Sequence, residues 1–136
     1  MFTLLALKQG VKFITQIDKN VSELSCDADR VSEVLSNLIG NAIKFTPPDG
    51  TVKLTVKSQS DKIYFSIIDT GSGIAPEDLP YIFDRYWQAR KKKLGSGLGL
   101  AIVKGIIEGH GGCVWVESKF NEGSTFHFTL PIFVEP

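Results

Sequence analysis

Hydrophobic and polar residues alternate along several short segments of this chain, which is the pattern of strands with one buried face. Val52, Leu54 and Val56 fall on one side of the clearest such segment, and polar residues fall on the other. The same period recurs after a polar turn at 58–61, so these two segments predict a hairpin. A second pair of strands is predicted around a turn at 121–123. The predicted strands are 11–17, 24–26, 51–57, 63–68, 113–117 and 125–130.

A period of about 3.6 residues, typical of helices, marks the longer segments between these strands. One helix begins after Asp27, a suitable N-cap, and runs to about Phe45, before a Pro-Pro turn. Later helices are predicted at 77–83, which follows Pro76, and at 98–108, which two glycines end. The order of elements predicts an α+β fold: a two-layer sandwich of a mixed, largely antiparallel sheet with helices on one face.

Composition narrows the functional classes. The chain has 136 residues, with 15 lysines and arginines against 15 aspartates and glutamates. This balance gives no global field that would attract nucleic acid or a membrane surface. Cys26 and Cys113, with two histidines, are too few for a zinc pattern and are predicted to be buried, reduced thiols. No apolar run is long enough to cross a bilayer, and Met1–Leu7 lacks the features of a signal peptide.

A polar stripe on the first long helix is the first candidate for chemistry. At about 100° per residue, Arg30, Glu33, Asn37, Asn41 and Lys44 fall within an arc of about 80°. A solvated helix face is the alternative interpretation. Asparagine is a poor helix former, however, and an amide oxygen is a suitable ligand for Mg²⁺ while a lysine can bind phosphate.

Two glycine-rich segments follow. Asp69 ends an apolar strand before Gly71 and Gly73, where its carboxylate could accept a hydrogen bond from an amine such as that of adenine; a plain turn is the alternative. Gly95, Gly97 and Gly99 precede the last helix, whose N-terminal N–H groups could bind phosphate; a flexible hinge is the alternative. The G-x-G-x-G spacing excludes both the Rossmann pattern and the P-loop.

Taken in order, these segments resemble the catalytic ATP-binding domain of bacterial sensor histidine kinases, in the GHKL ATP-binding superfamily. The resemblance covers about residues 8–131. The segments that carry it are RVSEVLSNLIGNAIKFT at 30–46 (N box), DTGSGIAPEDLPYIF at 69–83 (first glycine box), FDRYWQA at 83–89 (F box), GSGLGLAIVKGIIEGHGG at 95–112 (second glycine box) and GSTFHFTLP at 123–131 (last strand).

The resemblance implies ATP and Mg²⁺ as cofactors and a site between helices under a mobile lid, residues 84–97. It implies that Asn41 ligates Mg²⁺ and that Asn37 and Lys44 support the phosphate end. The residues it places around the base are Asp69, Gly71, Gly73 and Ile74, with Thr125 bonding the base through water. It implies that Phe45 lines the nucleotide. Those it places near the phosphates are Arg90, Gly95, Gly97, Leu98, Gly99 and Leu100.

The family phosphorylates a histidine on a dimerisation helix, within a motif that neither His110 nor His127 matches. The phosphoacceptor is therefore expected on a separate domain of the same protein, and a response-regulator receiver domain is expected as an indirect partner. Residues 1–10 are expected to be the remains of a connecting segment and 11–136 the catalytic domain. Neither nucleic acid nor direct membrane contact is expected. The domain is expected in the cytoplasm, whether or not the parent protein is membrane-anchored.

Two other functions stay open. A hydrolysing, conformational ATPase of the same superfamily would carry a glutamate base one turn before the metal-binding asparagine, where this chain has Asn37. A docking module that has lost nucleotide binding would not need Asn41, Asp69 and both glycine boxes. The expected function is thus a protein-histidine kinase, inactive in autophosphorylation without its acceptor helix.

Overall fold

The structure, a computed structural model, describes residues 2–18, 28–59, 61–84 and 99–131. Its helices are α1 (Phe2–Gln9), α2 (Ala28–Phe45) and α3 (Gly99–Gly109), with a 3-10 turn at Leu79–Tyr81. Its strands are β1 (Lys12–Ile17), β2 (Thr51–Gln59), β3 (Lys62–Asp69), β4 (Cys113–Lys119) and β5 (Gly123–Pro131). Both predicted hairpins and both long predicted helices are present. The strand predicted at 24–26 lies outside the described residues.

The five strands form one sheet in the order β1-β2-β3-β5-β4. β1 runs parallel to β2, and every other neighbouring pair is antiparallel. This confirms the predicted mixed, largely antiparallel sheet. The register pairs Asp69, the last residue of β3, with both Val52 and Ser124, so the end of β3 is flanked by the start of β2 and the start of β5.

The core lies between one face of the sheet and the helices. The sheet contributes Val52, Ile67 and Phe128 to it, all with an exposed fraction of 0%. The helix layer contributes Val34, Leu38 and Ile43 from α2 and Val103 and Ile107 from α3. Burying such side chains stabilises the fold by about 1.5–3 kcal/mol each. The core thereby fixes which side of α2 faces the sheet and which side is left for its polar stripe.

Two sequence predictions differ from the structure, and one helix was not predicted. Residues 2–9 form that helix, α1, with Ala6 in the core. The helix predicted at 77–83 is only a 3-10 turn. Cys113 is exposed rather than buried, because Val114 packs on the core and alternation along β4 turns Cys113 to the other face. Cys26 lies outside the described residues.

His110 behaves as an ordinary helix-end residue. Its Nδ1 lies 2.8 Å from the carbonyl oxygen of Ile106, which can only accept, so Nδ1 carries the proton. A histidine that bonds a carbonyl of the last helical turn needs no catalytic role. Within the described part of the chain, no helix is both long and apolar enough to cross a membrane.

Candidate functional site

Asp69 stands where β3 ends, and the backbone around it fixes its carboxylate. Oδ1 accepts hydrogen bonds from the N–H of Gly71 at 2.8 Å and from the N–H of Ser124 at 3.3 Å. Burial raises the pKa of Asp69, and these two bonds oppose that rise. Among the described residues nothing bonds Oδ2. The carboxylate is therefore oriented by its own loop and retains an acceptor for a ligand.

The loop after Asp69 needs glycine because it packs tightly against its neighbours. A Cβ on Gly71 would lie 2.7 Å from the carbonyl oxygen of Phe45, the last residue of α2. Gly73 has φ +70°, and a Cβ there would overlap the carbonyl oxygen of Lys119. The first glycine box is therefore held between the C-terminal end of α2 and the end of β4.

The polar stripe of α2 presents amides that differ in their bonding. Asn37 and Asn41 are half-buried, and Lys44 is exposed. The Asn37 Nδ2 donates to the carbonyl oxygen of Glu33 at 3.0 Å, one turn back along the helix. The Asn41 amide makes no hydrogen bond to any residue that the structure describes. Asn41 is therefore the member of the stripe whose amide is left to bond a ligand.

Lys44 and Phe45 stand at the other end of the same stripe. The Lys44 Nζ lies 5.3 Å from the centroid of the Phe45 ring, within cation–π range. The contact keeps the ammonium beside the ring while its exposed end stays free to meet an anion. Both residues thus lie at the helix end that touches the glycine loop.

The two halves of the predicted site meet through this contact. Asn41 lies one helical turn before Phe45, about 6 Å along the axis. The carbonyl of Phe45 touches Gly71, which in turn bonds Asp69. The helix carrying the amides and the strand end carrying the carboxylate are therefore neighbours, as a site for one extended ligand requires.

A cavity of about 490 Å³ adjoins this region. Its walls include Lys44, Phe45 and Gly71, together with Gln9, Thr46, Pro47, Thr70, Ser72 and Asn121. Asn41 and Asp69, both described by the structure, do not line this cavity. The cavity therefore borders the candidate site, whose polar groups are the Asn41 amide and the Asp69 carboxylate.

The chemistry of Asn41 fits Mg²⁺ only as part of a ligand set that a nucleotide completes. Within the described ranges, no three His, Cys, Asp or Glu residues are close enough to hold a metal ion. Mg²⁺ commonly takes one or two protein oxygens, and phosphate oxygens and waters supply the rest. One free amide oxygen beside a phosphate-binding region meets that requirement.

The structure does not bring Thr125 to Asp69. Thr125 pairs with Ile68, one position away from the Asp69–Ser124 pair, so alternation turns it to the opposite face of the sheet. The hydroxyl on the Asp69 face belongs to the buried Ser124. The sequence prediction placed Thr125 at the base from the resemblance and left Ser124 just before the predicted strand at 125–130. The Ser124–Asp69 register is the signal that identifies it.

The remaining predicted residues lie partly in the described structure and partly outside it. Ile74 is half-buried against the core, and its N–H donates to Ser118 Oγ at 2.7 Å. Leu100 is a buried core residue in the first turn of α3, and Gly99 begins that helix. The predictions for Arg90, Gly95, Gly97 and Leu98, and for most of the lid, lie outside the described residues.

A two-layer α+β sandwich with a strand-end carboxylate, a glycine loop and an amide-bearing helix end defines an ATPase-type nucleotide-binding domain. Residues 26–133 match the family described as histidine kinase-, DNA gyrase B-, and HSP90-like ATPases, and the chain belongs to this family. This agrees with the resemblance drawn from the sequence.

Its relatives are sensor kinases. The chain is 40% identical over 125 residues to the adaptive-response sensory kinase SasA of Synechococcus elongatus, covering 90% of this chain and 32% of SasA. It is 38% identical to the sensor histidine kinase WalK of Bacillus subtilis, covering 91% of this chain and 21% of WalK. The chain thus spans a third or less of these relatives.

Solved structures share the fold. The catalytic domain of the histidine kinase ThkA superposes with a TM-score of 0.84 at 34% identity, covering 96% of this chain and 84% of that one. Full-length ShkA, in complex with AMPPNP, superposes with a TM-score of 0.88 at 32% identity, covering 98% of this chain and 28% of ShkA. The match covers most of the ThkA domain and a smaller part of full-length ShkA.

Proposed function

We propose that this chain binds Mg-ATP and donates the γ-phosphate to a histidine on a dimerisation and phosphoacceptor domain elsewhere in the same protein. One observation carries the proposal: the oriented Asp69 carboxylate and the free Asn41 amide lie on elements that touch through Phe45 and Gly71. In this proposal, Asp69 accepts a hydrogen bond from the adenine amine. Asn41 supplies an oxygen to Mg²⁺, which neutralises charge on the phosphates.

Phosphoryl transfer suits a domain with these groups. The protein mainly positions the nucleotide and neutralises charge, and the nucleophile comes from the partner. Asn37 and Lys44 support the phosphate end in this proposal, and Gly73 and Ile74 border the base. Residues 84–97 would close over the nucleotide, with Arg90 and the backbone of 95–100 near the phosphates.

The partners follow from the same proposal. The acceptor histidine and the dimer contacts would come from a preceding domain, to which residues 1–10, including α1, would connect residues 11–136. A response regulator would receive the phosphate afterwards. The structure of ThkA with the response regulator TrrA shows that a protein of this fold can assemble with such a partner. The site would operate in the cytoplasm.

A hydrolysing ATPase is the second candidate, and one observation disfavours it. The residue one turn before Asn41 is Asn37, whose amide bonds a carbonyl of its own helix and has no basic group. Glu33, one turn further back, lies 3.5 Å from the Arg30 guanidinium. A carboxylate engaged in this way and a turn farther away is poorly placed to activate water. A docking module without nucleotide would leave Asn41 without a partner.

The proposed role of Asn41 is tested by titrating a non-hydrolysable ATP analogue with and without Mg²⁺. We expect Asn41→Ala to lose the Mg²⁺-dependent part of the affinity, about tenfold or more, since tenfold corresponds to about 1.4 kcal/mol. Binding without Mg²⁺ should change little. Gln16→Ala, which removes an exposed amide from β1, is the matched control and should behave as wild type.

Phosphotransfer needs a second measurement. The wild-type chain, supplied with a phosphoacceptor domain and labelled ATP, should label the acceptor histidine, and Asn41→Ala should not. A wild type that binds no ATP analogue would refute the whole proposal. Equal transfer by Asn41→Ala would refute the assigned role of that residue.

A further inference from the structure

Ser118, near the end of β4, joins three parts of the candidate site through one oxygen. Its Oγ accepts the N–H of Ile74 at 2.7 Å and lies 3.1 Å from the carbonyl oxygen of Gly123. It also lies 3.0 Å from the Oγ of Ser124, directly across the β4–β5 ladder. The first glycine box, the β4–β5 turn and the start of β5 therefore meet at this hydroxyl.

Counting donors fixes the direction of these bonds. A serine hydroxyl has one hydrogen to donate and can accept two. The carbonyl of Gly123 can only accept, so Ser118 donates its hydrogen there. Ser118 then accepts from Ile74 N–H and from the Ser124 hydroxyl, which satisfies all four groups. In this arrangement Ser124 has given its hydrogen away and offers only lone pairs elsewhere.

A Ser124 hydroxyl that can only accept hydrogen bonds affects the part of the site proposed to hold the base. Ser124 pairs with Asp69 in the sheet, and its N–H holds the Asp69 Oδ1. An acceptor-only hydroxyl beside a carboxylate favours a ligand that presents an amine and disfavours one that presents a carbonyl at the same place. Adenine carries an exocyclic amine where guanine carries a carbonyl.

We propose that Ser118 is a positioning residue that sets nucleotide selectivity: it orients the Ser124 hydroxyl as an acceptor and holds Ile74 against β4. The inference rests on the proposed function and names a determinant of base selectivity within it. Ser118 does not itself need to touch the nucleotide.

The test compares affinities of the 136-residue chain for non-hydrolysable ATP and GTP analogues. Ser118→Ala frees the Ser124 hydrogen, which can then turn toward a carbonyl. We expect ATP-analogue affinity to fall about tenfold, the scale of a lost oriented hydrogen bond, and the preference over GTP to shrink. Ser118→Thr, which keeps the hydroxyl and suits a strand, should retain most of the preference.

The control is Ser66→Ala on β3. Ser66 is buried where Ser118 is half-buried, and its Oγ bonds His127 Nδ1 at 3.0 Å, on the face away from Asp69. Both alanine variants should lose similar thermal stability, but only Ser118→Ala should change the ATP-to-GTP ratio. In a Ser124→Ala background, Ser118→Ala should change that ratio much less, because the oriented group is already gone.

The outcomes separate the two proposals. If the wild type binds neither analogue, the proposed function fails. If the wild type binds ATP selectively and Ser118→Ala keeps the wild-type ratio, this inference is overturned while the proposed function stands. An unchanged effect of Ser118→Ala in the Ser124→Ala background would also overturn it, because Ser118 would not act through Ser124.

Discussion

At the scale of single residues, Asp69 combines two opposed demands. A carboxylate that selects between ligands must be shielded from competing water, yet burial disfavours its charged form. Burial raises the pKa of Asp69, and the backbone bonds from Gly71 and Ser124 offset part of that rise. The fold therefore gives up some stability at neutral pH in order to keep a charged acceptor at the end of β3.

The pH dependence of stability follows from this shift. Because the folded-state pKa of Asp69 lies above its ordinary value of 3.8, its contribution is favourable below that pH and is lost as the pH rises through the folded-state pKa. We expect Asp69→Asn to raise the thermal midpoint at neutral pH, since Asn can still accept both backbone bonds. The advantage should disappear as the pH falls below 3.8. Thermal melts followed by circular dichroism, from neutral pH to below pH 3.8, measure the difference in midpoint between Asp69→Asn and wild type.

Asp61→Asn is the control for this prediction, because Asp61 is an exposed carboxylate in the turn between β2 and β3. It should leave the gap between neutral and acid midpoints unchanged. Asp69→Asn should also lose preference for the ATP analogue. If Asp69→Asn is less stable than wild type at neutral pH, the fold prefers the charged form of Asp69, which would contradict this prediction.

The residue-scale errors of the sequence prediction have separate causes. Thr125 was expected at the base and Cys113 in the core, and each lies on the other face of its strand. Thr125 was taken from the resemblance, although the apolar residues Phe126, Phe128 and Leu130 place Ser124 by alternation on the core face. Cys113 was expected to be buried as cysteines commonly are, whereas Val114 marks the core face of β4.

At the scale of elements, the sequence predicted what periodicity encodes. α2, α3 and the strands of both hairpins carry clear apolar stripes, and all are present. α1 was missed because Leu4, Leu5 and Leu7 share one side of the helix and are exposed, so the apolar residues do not mark the side that packs, where Ala6 lies. The contact between α2 and the glycine loop is a tertiary fact that no local pattern contains.

Glycines in different elements should respond oppositely to alanine. Gly105 lies inside α3 with nothing within 4 Å of an added Cβ, so Gly105→Ala should stabilise the chain by about 0.5–1 kcal/mol. Gly73→Ala should destabilise it by more, because φ is +70° and the added carbon would overlap the backbone of Lys119. Urea denaturation measures both.

The same pair of variants tests the site. Gly73→Ala should weaken ATP-analogue binding because the loop must move away from β4, whereas Gly105→Ala should bind as wild type does. Tolerance of alanine at Gly73 would contradict the tight packing described for the first glycine box.

At the scale of the whole molecule, one sheet face carries the core and the other carries a cluster of side chains around His127. His127 accepts or donates at Nδ1 with the Tyr64 hydroxyl at 2.9 Å, and Trp115 stacks on its ring at 5.2 Å between centroids. Its Nε2 lies 3.7 Å from a Glu117 oxygen. His127 thus lies in the strand predicted at 125–130, and the thickness of the sheet separates it from Asp69.

A single core makes the binding site and the rest of the fold one cooperative unit. Phe128 is fully buried and stacks on Phe65 with ring centroids 4.4 Å apart. Phe128→Ala should cost about 3–5 kcal/mol, a large part of what a small domain has. Unfolding in urea, followed by circular dichroism and by tryptophan fluorescence, should still give coincident transitions, shifted to lower urea.

Nucleotide binding should recover part of the stability that Phe128→Ala loses. An ATP analogue at a hundred times its Kd should stabilise the folded state by about 2.7 kcal/mol and so recover a large part of the loss in Phe128→Ala. Phe120→Ala, at a position 53% exposed beyond β4, is the control and should stay within about 0.5 kcal/mol of wild type. Two separate transitions in Phe128→Ala, with only one of them moved by nucleotide, would mean that the site and the core fold independently.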